Sequence, residues 1–116
     1  MKDVSGKLTY KGKEYSLVFN LNVMERIQDA YGTLEAWGAL TDGSQTGEPN
    51  AKAVIYGFTE MLNEGIDIDN ENRDTKEPFL TVKQVGRMIS DVGMKEATLL
   101  MNNTVIDSTE STVKNG

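Results

Sequence analysis

Two different spacings of apolar residues divide the chain. From Val4 to Phe19 the apolar positions follow a period of two, which is typical of β-strands. From Asn20 onward they recur every three or four residues, which is typical of amphipathic helices. The pattern therefore predicts an N-terminal β-hairpin followed by a series of helices.

The predicted hairpin has one apolar face on each strand. The apolar positions are Val4, Leu8 and Tyr10 in the first strand and Tyr15, Leu17 and Phe19 in the second. The segment Lys11-Gly12-Lys13 between them suits a tight turn, because glycine readily adopts positive φ. Since a two-stranded hairpin is marginal in water, we expect its apolar face to lie on the helices.

The first two helices are separated by one glycine. The first begins at Asn20 or at Asn22, since either asparagine can act as the N-cap, and Glu25 would complete a capping box with Asn22. Gly32 is the predicted stop. Thr33 then caps a short helix that continues to about residue 40.

Three further helices follow. Helix three is capped by Asn50 and ends at Gly65, helix four is capped by Thr81 with Gln84 and ends at Gly93, and helix five runs from Met94 to about Asp107. The polar segments 41–50 and 66–79 are predicted loops. We expect an α+β, mainly α fold: one domain over residues 1–107, with the hairpin at about 3–20 and four to five short helices at about 22–107. Residues 108–116 are expected to form a flexible tail.

The amino-acid composition excludes most of the common kinds of catalytic site. The 116 residues include no cysteine and no histidine, which excludes disulfides, thiolate metal sites and the usual acid–base group at neutral pH. The serines and threonines have no histidine or cysteine partner with which to form a nucleophile–base pair. We therefore expect a non-enzymatic protein with no cofactor, no metal site and no catalytic residue.

Net charge narrows the range of partners. The formal charge is −6, and a surface of that sign repels phosphate backbones, so we expect no nucleic-acid binding. No apolar run reaches the length of a membrane span. The first ten residues lack an apolar signal core, so the expected location is the cytoplasm.

Two acidic patterns resemble functional motifs. Asp67, Asp69 and Glu71 alternate like the start of a calcium loop, but Asn72 and Pro78 occupy the positions where an EF-hand needs glycine and glutamate. A solvated acidic loop is the favoured interpretation. Glu60 and Glu64 lie one helical turn apart, which places both carboxylates on one exposed face and not across a cleft.

Methionine and tryptophan offer two interpretations. Five methionines spread over the helical segments are expected to fill the core, with lining of a partner groove as the alternative: Met24, Met61, Met88, Met94 and Met101. Trp37, the only tryptophan, is likewise a core anchor by default and an interface anchor in the alternative. The sequence leaves the partner-binding residues unassigned.

Several stretches together resemble a known family. They are the strand end Phe19-Asn20-Leu21-Asn22, the Glu25-Arg26-Ile27 helix running to Tyr31-Gly32, the segment Leu34-Glu35-Ala36-Trp37, and the later segments 57–65 and 81–87. The chain resembles the small tail assembly chaperones encoded by long-tailed bacteriophages and prophages of Gram-positive bacteria.

The resemblance implies a non-enzymatic role in virion morphogenesis. Such proteins bind the tape measure protein in the host bacterial cytoplasm, assist tail tube polymerisation, and are absent from or minor in the mature virion. The tail tube protein is a possible second partner, and self-association of several copies along the long partner is expected.

Two other classes stay open. A structural virion component, such as a tail tube or head–tail connector protein, is the first alternative, although such proteins tend to be richer in β-strand. The second is an acidic inhibitor that mimics DNA. It is disfavoured because the acidic residues alternate with Lys and Arg and do not form a phosphate-like row.

Overall fold

The computed structural model describes residues 4–115, with side chains described for residues 6–109. The elements in chain order are β1 (Val4–Tyr10), β2 (Lys13–Phe19), α1 (Leu21–Tyr31), α2 (Leu34–Asp42), α3 (Ala51–Asn70), α4 (Val82–Val92) and α5 (Met94–Asn115). The predicted α+β, mainly α fold is confirmed: a two-stranded antiparallel hairpin packs on helices.

The hairpin closes through a two-residue turn. Tyr10 pairs with Lys13, and Lys11 and Gly12 between them have φ angles of 52° and 78°. Positive φ at both central positions is the geometry of a type I′ turn, whose twist matches that of the flanking strands. The register then continues without a bulge to the pair Val4 and Phe19.

The core lies between β2 and the helices. Leu17 and Phe19 of β2 are fully buried and share a cluster with side chains from all five helices. Trp37 is buried as well, and its indole Nε1 donates a hydrogen bond to the Ala53 carbonyl oxygen at 2.9 Å. Met61, Met88 and Met101 belong to the buried cluster and Met24 and Met94 pack against it. The default interpretation of the tryptophan and the methionines as core residues is confirmed.

The predicted helix caps are confirmed, and the choice at α1 is resolved. Asn20 is the N-cap, and its side chain accepts a hydrogen bond from the Val23 amide at 3.2 Å. Asn22 lies inside the helix, so it forms no capping box with Glu25. Caps at α2, α3 and α4 are the predicted residues Thr33, Asn50 and Thr81, the last with a complete capping box.

Three predicted helix ends are wrong. Helix α2 ends at Asp42 and not at residue 40, and α3 passes through Gly65 to Asn70. Glycine costs about 1 kcal/mol in a helix interior relative to alanine, which packing can offset. Here an added Cβ on Gly65 would lie 2.5 Å from the Ser16 carbonyl oxygen of β2. The missing side chain therefore lets the strand approach α3, and the first part of the predicted loop 66–79 is helical.

The third wrong end is that of α5, which continues past Asp107 to Asn115. Ser108, the first residue of the predicted tail, is fully buried, and its hydroxyl donates a hydrogen bond to the Phe19 carbonyl oxygen at 3.3 Å. The side chains of residues 110–115 and all of Gly116 lie outside the described residues. The flexibility of residues 108–116 stays a prediction.

We predict that Gly65→Ala destabilises the protein by about 1–3 kcal/mol, because the new methyl group would push β2 away from α3. Chemical denaturation measures the free energy of unfolding. Gly38→Ala is the matched control: it lies within α2 with open space around it and should gain about 0.5–1 kcal/mol from helix propensity. A stabilised Gly65→Ala variant would contradict the close approach.

Thr98 of α5 supplies a second prediction. It is 8% exposed, and within the described part of the chain its hydroxyl has no hydrogen-bond partner. A buried unpaired hydroxyl costs about 1–3 kcal/mol, so Thr98→Val should raise the free energy of unfolding by about 1 kcal/mol. Thr59→Val is the control, because the Thr59 hydroxyl donates to the Ile55 carbonyl oxygen at 2.7 Å. Equal effects of the two substitutions on the free energy of unfolding would contradict the conclusion that the Thr98 hydroxyl has no hydrogen-bond partner.

Candidate functional site

A groove open to solvent runs between α1 and α3. The two helices lie antiparallel, since Asn22 approaches Glu64 and Arg26 approaches Glu60. The groove has a volume of about 480 Å³. We call it the acidic groove, and its charged and aromatic lining consists of Glu25, Arg26, Glu60, Glu64, Asp67 and Phe79.

Helical spacing places the α3 carboxylates in a row. Glu60, Glu64 and Asp67 are separated by four and three residues, which puts them on one face of the helix. At a rise of about 1.5 Å per residue, the row extends along the axis for about 10 Å. The predicted shared face of Glu60 and Glu64 is confirmed, and the structure adds that this face borders a groove.

One cation faces four carboxylates in the groove. Arg26 Nε lies 3.8 Å from Glu60 Oε1. Glu64 Oε2 accepts hydrogen bonds from the Asn20 and Asn22 side-chain amides at 2.7 and 3.1 Å, which fixes its orientation. The side-chain carboxylates of Glu25 and Asp67 make no hydrogen bond or ion pair with any residue that the structure describes. The groove therefore carries a net negative charge that the described part of the chain leaves uncompensated.

Residues 71–81 form a strap that two asparagines hold against α3. Asn63 donates to the Leu80 carbonyl oxygen at 2.9 Å and accepts from the Leu80 amide at 2.8 Å. Asn70 makes the same pair of bonds with Glu77, at 3.0 and 2.9 Å. The two asparagines are seven residues apart and so share a face of α3. Each satisfies both backbone groups of one strap residue.

The strap fixes Phe79 at the edge of the acidic groove. Phe79 precedes Leu80, which Asn63 holds, and 56% of its surface is exposed. A second tie comes from the hairpin, where Lys13 pairs with Glu77. The hydrogen bond from Lys13 lowers the pKa of the Glu77 carboxyl below its ordinary value. The aromatic side chain is thus exposed on a segment that is itself well anchored.

The segment with alternating acidic residues does not have the conformation of a calcium-binding loop. Asp67 and Asp69 lie in the last turns of α3 and Glu71 directly follows the helix. Asp69 lies 3.8 Å from the Arg73 guanidinium. Among the described residues, no group of three acidic side chains is arranged to hold a metal ion. The favoured alternative, a solvated acidic loop, is wrong for Asp67 and Asp69 because they are helical.

A smaller groove lies between the hairpin tip and α4. Its floor is Leu80 and Met88, and Tyr10, Arg87 and Asp91 are on its rim. The Tyr10 hydroxyl donates to Asp91 Oδ2 at 2.6 Å, and this bond raises the tyrosine pKa. Since the tyrosine and the aspartate satisfy each other, this contact fixes the hairpin tip on α4.

The sequence did not predict either groove. The acidic groove depends on the antiparallel contact between α1 and α3, which no local pattern predicts. The strap depends on hydrogen bonds from Asn63 to a residue seventeen positions away and from Asn70 to a residue seven positions away. One signal was present: asparagine is unfavourable inside helices, and Asn63 and Asn70 recur at a spacing of seven in a helical segment.

Comparison with protein-family models, with curated proteins and with solved structures finds no match to this chain. Within residues 4–115, none of the helices combines the length and apolar character that crossing a membrane requires.

We predict that Asn63→Ala loosens the strap. Two backbone groups of Leu80 lose their partner, so the free energy of unfolding should fall by about 1–3 kcal/mol and the Leu80 amide should exchange its hydrogen faster. Denaturation and amide hydrogen exchange measure the two effects. Asn22→Ala is the control, because it removes one exposed bond to Glu64 and none to the strap. Unchanged exchange at Leu80 would contradict the role of Asn63.

Proposed function

We propose that this protein is a tail assembly chaperone of long-tailed bacteriophages and prophages. In this role it binds the tape measure protein in the host bacterial cytoplasm and assists tail tube polymerisation. The proposal depends on the acidic groove, an open surface to which the segments that carry the family resemblance contribute Glu25, Arg26, Glu60 and Glu64, while Asp67 and Phe79 lie outside those segments. Of the helices that line the groove, α1 contains the segment from Glu25 to Tyr31 and α3 contains residues 57–65.

The shape of the groove supports a polypeptide partner. Its charged lining comes from two helices and extends over two turns of α3, and an exposed phenylalanine stands at its edge. Small-molecule sites are usually enclosed and mostly apolar, whereas a segment of another protein can follow an open groove between two helices. A tape measure segment is the partner that the resemblance suggests.

The arrangement of the carboxylates supports a non-enzymatic role. Glu60 and Glu64 project from the same helix, and Glu64 is held by two asparagine amides. Glycoside hydrolysis requires two carboxyl groups on opposite sides of the scissile bond. The pair does not have the arrangement that this chemistry requires, which supports the proposal of a binding role.

Net charge supports the handling of an aggregation-prone partner. At −6, copies of the chain repel one another in bulk solution, which opposes precipitation of any complex that they coat. A tape measure protein is long, so several copies bind along it and self-associate there. After the tail tube has formed around its partner, the chaperone leaves and is absent from or minor in the mature virion.

Co-expression tests the function. The tape measure protein from the same phage or prophage is expressed alone and with this chain. We expect it to move from the insoluble to the soluble fraction and to co-purify with this chain, because covering its apolar surface prevents aggregation. Light scattering of the complex then gives the number of bound copies.

Two results would overturn the proposal. A tape measure protein that stays insoluble with this chain present would contradict chaperone activity. High abundance of the chain in purified virions would favour the structural alternative, a tail tube or head–tail connector protein. An unrelated acidic protein of similar size is the control for a general effect of charge on solubility.

A further inference from the structure

We infer that the acidic groove binds a cationic amphipathic helix of the partner. The lysine or arginine side chains of that helix face the carboxylate row of α3, and one apolar side chain contacts Phe79. This inference deepens the proposed function by naming the kind of segment that is bound. The inference rests on the proposed function in one respect: that function names the tape measure protein as the protein that carries the bound helix.

Charge complementarity selects the occupant. Glu25 and Asp67 have no partner among the described residues, and Arg26 lies near only one of the other two carboxylates. Bringing a cationic side chain to each free carboxylate relieves the repulsion among them, whereas an anionic or neutral segment would leave it in place. The groove therefore favours a bound segment with positive charge over one with negative or no charge.

The spread of the carboxylates favours a helix over an ion. The row from Glu60 to Asp67 extends for about 10 Å, and the acidic side chains do not converge on one point. A helix repeats its own side chains with the same rise and period as α3. Cationic residues at positions i, i+4 and i+7 of the bound helix therefore have the spacing of the row, in which Asp67 lacks a partner and Glu60 and Glu64 already have one.

Phe79 supplies the apolar contact. Its ring is more than half exposed at the edge of the groove, and the strap that carries it is fixed by Asn63 and Asn70. Because the backbone that carries Phe79 is held in place, less conformational entropy is lost when the residue serves as an anchor. The combination of one apolar anchor with a row of charges requires a segment that is both amphipathic and cationic.

The test uses the full chain and a synthetic helical peptide of about 18 residues, with lysines at i, i+4 and i+7 and one leucine on the same face. Fluorescence anisotropy measures its Kd. A second peptide with glutamate in place of each lysine is the ligand control. We expect binding of the lysine peptide only, with an affinity that falls as salt is raised.

Two variants locate the site. Glu25→Gln combined with Asp67→Asn removes two charges that have no partner in the described structure, and it should weaken peptide binding about fivefold. The matched control, Glu35→Gln combined with Asp107→Asn, makes the same chemical change at exposed positions outside the groove and should leave the Kd unchanged. Circular dichroism and thermal unfolding check that both variants are folded.

The apolar anchor is tested separately. Phe79→Ala should weaken binding of the lysine peptide several-fold, because the leucine loses its contact. Leu99→Ala, a truncation of another exposed apolar residue on α5, should have no effect. Equal effects of Phe79→Ala and Leu99→Ala would overturn the role of Phe79.

The outcomes separate this inference from the proposed function. Three results would overturn the inference. The first is equal weakening of peptide binding by the groove and control charge variants, and the second is binding of the glutamate peptide. The third is self-association of the protein that the groove charges alone control. If the tape measure protein is still solubilised by the groove variant, the inference fails while the function stands. If the peptide binds in the groove but the tape measure protein is not solubilised, the proposed function fails while the inference stands.

Discussion

The seating of β2 on α3 is the constraint on which the rest of the structure depends. A hairpin of two strands has too little apolar surface to be stable alone, and here Leu17 and Phe19 are fully buried because β2 packs mainly on α3, with α5 and α1 adding further contacts. Gly65 makes this possible, because any larger residue would meet the Ser16 carbonyl oxygen. The remaining helices then pack around this unit.

The same helix divides its surface among three tasks. One face of α3 enters the core through Phe58, Met61 and Leu62. Asn63 and Asn70 hold the strap through their paired hydrogen bonds, and the carboxylate row lies directly beside them, since Asn63 also lines the acidic groove. Because one rigid helix carries all three, the position of Phe79 relative to the carboxylates is set by the core itself. In the proposed role, a surface held by the core in this way would reduce the entropic cost of binding.

Much of the fold was predictable because it depends on local chemistry. The caps at Thr33, Asn50 and Thr81 satisfy the free amides of the first helical turn, and a side chain three residues away is enough to identify them. The tight turn at Lys11-Gly12-Lys13 was predictable from its polar, glycine-centred sequence between two apolar strands, whereas the positive φ of Lys11 was not. The errors have a common cause. Glycine at position 65 and serine at position 108 look like the ends of helices, yet each is buried against β2 or its last residue, and that contact lies far away in the sequence.

The sequence by itself determined the class of the fold, the lack of cysteine and histidine chemistry, and the sign of the charge, and it limited the number of helices to four or five. It also showed that Glu60 and Glu64 share a helix face, because that follows from the helical period alone. Only the tertiary structure decided that this face borders a groove, that Asp67 is helical, and that Phe79 stands exposed beside them. These features depend on contacts between α1, α3 and the strap, and such contacts join residues that no local pattern relates.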